Sequence, residues 1–283
     1  MNQLKESAPT SGVIHDFVTS RDGTRISYRT SGNGPGLIVI PGALTMAADF
    51  EAFSAELAND FTVYTIDRRG RGQSSPQGSD YSITKECEDI QALQEKTSAR
   101  YLFGHSFGGF IALEVARNNQ NLDKIAVYEP GVSIDQSVPV GWAELCQEQL
   151  TRNKYSDAFI TFIRGVNPEM AGKTPKWLFK LIIPLALNKD ERLHKYKLLA
   201  GTIREHKEAA RLDNTYQHYR EISARVLLML GGREKGTSIE RAGLKLAEVL
   251  PEAKLVRFPK FDHFGPEKKP GEVAAELRLY FFS

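Results

Sequence analysis

A serine sits among glycines at Gly104-His105-Ser106-Phe107-Gly108-Gly109. The spacing fits G-x-S-x-G, the pattern of a nucleophile held up on a sharp strand-to-helix turn. Side chains two residues to either side of such a turn would collide, which calls for Gly104 and Gly108; Gly109 gives the following helix room to approach a sheet. A serine hydroxyl is a poor nucleophile at neutral pH, so acyl chemistry needs a base beside it and a third group that orients the base. The chain has six histidines. His15 falls in the first strand pattern, His105 in the glycine turn itself, and His194, His206 and His218 in or beside a long helical stretch. His263, in Phe261-Asp262-His263-Phe264-Gly265, follows the last strand pattern and precedes the closing helix. The chain order Ser, acid, His puts the base there.

The acid is expected after the strand that follows the helical stretch. Glu234, three residues past Gly231 in Leu230-Gly231-Gly232-Arg233-Glu234, is the first choice to accept from Nδ1 of His263 and fix its tautomer. Glu129 in Tyr128-Glu129-Pro130, at the end of the preceding strand, is the competitor and would reach the imidazole from the other side. An oxyanion needs backbone donors. The turn Pro41-Gly42-Ala43-Leu44 is expected to supply the N–H of Ala43, with Leu44 as the close alternative, and the helix N-terminus supplies that of Phe107.

Two further runs imitate other chemistries. Asp67-Arg68-Arg69-Gly70-Arg71-Gly72-Gln73-Ser74 is basic, but one short run is better read as a glycine-shaped loop whose arginines pair with acids than as a nucleic-acid site. Residues 231–238 resemble a phosphate loop, yet Thr237 stands where GxxxxGK[ST] requires lysine.

The elements that must position these residues are short apolar runs at 13–19, 24–30, 36–40, 61–66, 101–103, 125–128, 225–230 and 254–258. The first two flank Arg21-Asp22-Gly23 as a hairpin. Several of the others are apolar on both faces, as in a buried parallel sheet. Helix patterns lie between them at 47–59, 84–95, 106–118, 238–250 and 272–282. Such alternation predicts an α/β fold, with a mostly parallel eight-stranded sheet, helices on both faces, and ligands at one edge of the strands. Residues 141–223 break the rhythm with helix-like stretches and no strand. They are expected to form a helical insertion between two strands, over a core made of residues 1–140 and 224–283. Within 151–215 there are 13 lysines and arginines against 7 acids.

With 283 residues, 41% hydrophobic and 25% charged, the composition is that of an ordinary globular protein. A net charge of +2 gives no field for nucleic acid. Cys87 and Cys146 have no metal or redox spacing and suggest free thiols in a reducing compartment. The first twelve residues are polar and lack the apolar core of a signal peptide. No run approaches the ~20 apolar residues that span a bilayer. The expectation is a cytoplasmic enzyme with no membrane contact, no metal and no cofactor.

On these residues the chain resembles the α/β-hydrolase superfamily, most of all the small capped hydrolases: esterases, lactone hydrolases, C–C bond hydrolases and cofactor-free perhydrolases. The likeness rests on Pro41-Gly42, on residues 67–74 and 104–109, on 230–234 and on 261–267. It implies that Ser106 attacks, His263 moves the proton, Glu234 orients it, and Ala43 and Phe107 bind the oxyanion. Serine at the turn speaks against haloalkane and epoxide members, which need a carboxylate there. The chain departs from the family at Pro41, where His is common, in having Glu rather than Asp as the acid, and at Asp262, where a small residue is common. The implied substrate is a small-to-medium, largely apolar ester or related acyl compound. A hydrolase-fold receptor that keeps the triad without turnover is the competing reading, and turnover itself separates the two.

Overall fold

A computed structural model describes residues 13–169 and 171–283. The polar stretch expected to lack a signal sequence, residues 1–12, lies outside the described residues. Eight strands form one sheet: β1 Ile14–Thr19, β2 Arg25–Ser31, β3 Gly36–Ile40, β4 Thr62–Ile66, β5 Tyr101–His105, β6 Lys124–Tyr128, β7 Arg225–Gly231 and β8 Lys254–Phe258. Their order is β1-β2-β4-β3-β5-β6-β7-β8. β1 pairs antiparallel with β2, and β2 with β4. From β4 to β8 every pairing is parallel. The hairpin register sets Thr19 opposite Arg25, and the turn closes with Gly23 at φ 82°, a conformation open to glycine.

The central strands are buried on both faces, and their alternation separates two apolar clusters. Ile38, Ile40, Leu102, Ile125, Val127, Val226 and Leu228 point to one side. Leu37, Val39, Phe103, Ala126, Leu227 and Met229 point to the other. The first side is covered by α2 Ile83–Thr97, α3 Phe107–Arg117 and α8 Ser238–Val249. The second is covered by α1 Glu51–Leu57 and α10 Pro270–Phe281. A single 3-10 turn, Ala47–Phe50, leads into α1. This divides the expected helix at 47–59, because Asp49 accepts the N–H of Met46 at 2.8 Å and holds that first turn tight.

Between β6 and β7 lie α4 Ala143–Thr151, α5 Tyr155–Val166, α6 Lys176–Ala186 and α7 Lys189–Arg211. They share a third cluster built on Trp142, Phe159, Phe162, Leu199 and Ile203, into which Leu44 reaches from the loop after β3. Asn188 begins α7 with a capping box, accepting from Glu191 N–H at 3.0 Å while the Glu191 carboxylate receives Asn188 N–H at 2.7 Å. The short α9, Gly265–Lys268, precedes α10. Among the described residues no helix is long and apolar enough to cross a membrane.

Candidate active site

β5 ends at His105 and α3 begins at Phe107, so Ser106 alone makes the turn. Its backbone sits at φ 53°, ψ −121°, a region that costs a side-chain-bearing residue on the order of 1–3 kcal/mol. The surrounding glycines are needed for contact reasons. A Cβ on Gly104 would lie 2.4 Å from the carbonyl oxygen of Gly108, and one on Gly108 only 2.0 Å from that of Ile40. The loop after β3 also comes close, since a Cβ on Gly42 would stand 3.1 Å from that of Ser106. The N–H groups of Phe107 and Ala43 find no acceptor among the described residues. That of Phe107 opens an eleven-residue helix, at its positive end. Leu44, the alternative to Ala43, is itself at φ 56°.

His263 follows β8 at the same edge of the sheet. Its loop is tied down at three main-chain carbonyls: Phe261 accepts from Arg233 N–H at 3.0 Å, Asp262 from the Tyr128 hydroxyl at 2.8 Å, and His263 from Nε2 of His105 at 2.7 Å. The carboxylate on the imidazole is that of Glu129. Nδ1 of His263 donates to Glu129 Oε2 at 2.6 Å, and Glu129 Oε1 accepts the N–H of Gly231 at 2.7 Å. The Glu129 side chain is wholly buried. Burial alone would lower the pKa of His263, but this carboxylate and the neighbouring Glu267 and Glu234 reverse the effect, and it stands above the ordinary value.

The expected contact between Glu234 and Nδ1 is not formed. Glu234 lies on the 3-10 turn Gly232–Glu234, buried, and its Oε2 has no hydrogen-bond partner among the described residues. Burial, then the charge of Glu129, raises the pKa of Glu234. Glu129, the residue after β6, reaches the ring because Gly231 leaves space: a Cβ there would meet Glu129 Oε1 at 2.8 Å. The signal was present in Tyr128-Glu129-Pro130 and in the glycine opposite. Asp262, where a small residue is common, accepts from Phe264 N–H at 3.0 Å and Lys268 at 2.7 Å.

The loop 67–74 holds the β3 loop in place. Arg68, wholly buried, donates to the carbonyl of Gly42 at 3.0 Å and to Glu86 at 2.9 Å, and pairs with Glu205 of α7 at 3.1 Å. Its guanidinium lies 5.0 Å from the centre of the Phe107 ring. Arg71 pairs with Glu205 at 2.6 Å, and Arg69 with Asp89 at 2.6 Å. All three arginines of the loop pair with acids, as expected of it. Gly72, at φ 51°, lets the loop fold onto Asp67, whose Oδ1 accepts Ala47 N–H at 2.8 Å. Lys195 of α7 donates to the carbonyl of Leu44 at 3.4 Å and stands over the same loop.

A strained serine between strand and helix, an imidazole on a buried carboxylate and two unengaged amides lie at one edge of the sheet. Over residues 37–276 the chain matches the model of the alpha/beta hydrolase family, and it belongs to that family of hydrolases. A 2-(acetamidomethylene)succinate hydrolase of Mesorhizobium japonicum is 25% identical over 257 residues, 87% of each chain. The crystal structure of an alpha/beta hydrolase from Sphaerobacter thermophilus superposes with a TM-score of 0.80 at 26% identity, covering 94% of this chain and all of that one. An enol-lactonase from Burkholderia xenovorans shares the fold, with a TM-score of 0.73 at 17% identity over 95% of this chain and 100% of its own.

Proposed function

We propose that the chain is a serine hydrolase that cleaves a small-to-medium ester or related acyl compound through an acyl-enzyme on Ser106. His263 takes the Ser106 hydroxyl proton at Nε2 as Oγ adds to the acyl carbon. Glu129 holds Nδ1–H and stabilises the imidazolium. The N–H groups of Phe107 and Ala43 receive the oxyanion. As the tetrahedral adduct collapses, the leaving alkoxide takes the proton from Nε2. Water, deprotonated by the same nitrogen, then attacks the acyl-enzyme, and Nε2 returns that proton to Oγ as the adduct collapses to the acid and free Ser106. Residues 141–223 serve as a cap over a core of 1–140 and 224–283, and their third apolar cluster, which includes Leu44, supports a largely apolar acyl pocket. The observation that carries the reading is the 2.6 Å contact between His263 Nδ1 and a buried carboxylate at the end of β6, beside the strained Ser106.

A second reading of the substrate, an acyl compound that also bears a carboxylate, is favoured by Lys195 beside the β3 loop and by the succinate substrate in the name of the M. japonicum relative. Both are tested with p-nitrophenyl esters of graded chain length and with mono-esters of dicarboxylic acids. Turnover that disappears in Ser106→Ala is expected, and a lower KM for the acidic series would select the second reading. A chain that binds these compounds and turns none over is a receptor instead.

A further inference from the structure

His105 and Glu267 form a buried polar pair beside the base. Nε2 of His105 lies 2.7 Å from the carbonyl oxygen of His263, and a carbonyl can only accept, so Nε2 carries a hydrogen. In a neutral ring Nδ1 then offers only a lone pair. Nδ1 is buried with no hydrogen-bond partner, and so are both oxygens of Glu267. Glu267 Oε1 stands 3.4 Å from that nitrogen. Two acceptors would face each other there, and a proton between them turns the clash into a hydrogen bond. The His105 ring is packed against Phe50 at 5.9 Å and Tyr128 at 5.9 Å, an enclosure that disfavours an imidazolium.

We propose that Glu267 is a positioning residue: as a neutral carboxylic acid it donates to Nδ1 of His105, whose Nε2–H in turn holds the main chain of His263 against the serine turn. The proposal rests on His263 being the base. Burial favours the neutral form of both partners. It pushes the Glu267 carboxyl up to about 7 and, together with the nearby His263, brings the His105 ring down to about 3. The other ionisable groups facing Glu267 are Asp49 on the 3-10 turn, Lys195 on α7, Tyr128 at the end of β6, and His263 itself.

The sign of the linkage is definite. A carboxyl whose folded pKa lies above its ordinary 4.5 binds an extra proton in the folded state, so the contribution of Glu267 to stability is fully present below pH 4.5 and is lost as pH rises to about 7, a loss read as the difference between wild type and Glu267→Gln because the depressed His105 ring slopes the other way below pH 6.5. Above that pH the carboxylate opposes the Nδ1 lone pair, the tie to His263 loosens, and kcat falls toward the lower rate of the ionised form. The test compares wild type, Glu267→Gln and Glu267→Ala by melting temperature and kcat across pH 4–9, with 15N NMR of the His105 ring. Gln keeps a donor toward Nδ1 and cannot ionise. Glu267→Gln is expected to lose both the stability decline and the alkaline fall in kcat, and wild-type His105 to show the neutral Nε2–H tautomer. An alkaline limb and stability slope that persist in Glu267→Gln, or an imidazolium at His105, overturn the proposal. The melting curves and NMR need no turnover, so they decide it even if no ester is cleaved. Glu267→Ala, which lacks the donor, should lower kcat at every pH; equal rates for Ala and wild type would also sink the positioning role.

Discussion

Glu129→Gln should lower kcat by about 10⁴-fold, while Glu234→Gln should stay within about tenfold of wild type. The difference follows from which atoms each carboxylate meets. Glu129 has one oxygen on Gly231 N–H at 2.7 Å and the other on His263 Nδ1 at 2.6 Å. Glutamine keeps the shape but can present its amide N–H₂ to Nδ1. The ring then adopts the tautomer whose Nε2 carries the hydrogen and cannot accept one from Ser106. Glutamine also removes the negative charge that stabilises the imidazolium. Glu234 makes no hydrogen bond to the imidazole, so a glutamine there leaves the His263 tautomer and its partner carboxylate in place. Steady-state kinetics on one ester decide it: a larger loss for Glu234→Gln would move the orienting role back to that residue.

Arg68→Met should destabilise the fold by about 3–5 kcal/mol, because removing one member of a buried ion cluster leaves its partners uncompensated. Arg68 is wholly buried and holds Glu86, Glu205 and the Gly42 carbonyl at once. Methionine fills much of the volume, so the loss reports charge rather than a cavity. The pH dependence gives a second measure. Burial would raise the pKa of Glu205, but Arg68 and then Arg71 outweigh it and hold the group at about 2. A depressed carboxylate stabilises the fold above its ordinary 4.5, and that contribution is lost as pH falls from there through about 2. In Arg68→Met acid unfolding should therefore begin at higher pH, as followed by urea titration at pH 7, 4 and 3. An unchanged midpoint at all three would show that the cluster contributes no net stability. Because Gly42 abuts Ser106, the same variant is expected to lose kcat as well as stability.

Much of this architecture was legible in the chain. Apolar runs of strand length ended by Pro41-Gly42, Asp67, Gly104 and Gly231 mark the central strands, because a parallel sheet covered on both faces tolerates few polar residues. Gly104 and Gly108 around Ser106 announced the turn, since no residue with a Cβ fits the contacts at either glycine. The acid was harder to read. Glu129 and Glu234 both follow strands that end at the same edge, and sequence order does not say which carboxylate meets the ring. That choice depends on the path of the loop 261–265, tied by Tyr128 and His105, and on the space at Gly231. The His105–Glu267 pair was beyond sequence reasoning because its partners are more than a hundred and fifty residues apart and meet only through the sheet.

The most direct test of a Ser106–His263–Glu129 acyl-transfer centre is the rate and position of labelling by a serine-reactive fluorophosphonate, read by intact mass and peptide mapping. One adduct, on Ser106, is expected in wild type. Labelling should slow by about 10³-fold or more in His263→Ala and Glu129→Gln, and proceed at nearly the wild-type rate in Glu234→Gln. An adduct at another residue, no adduct, or slowing in Glu234→Gln but not in Glu129→Gln would contradict the account.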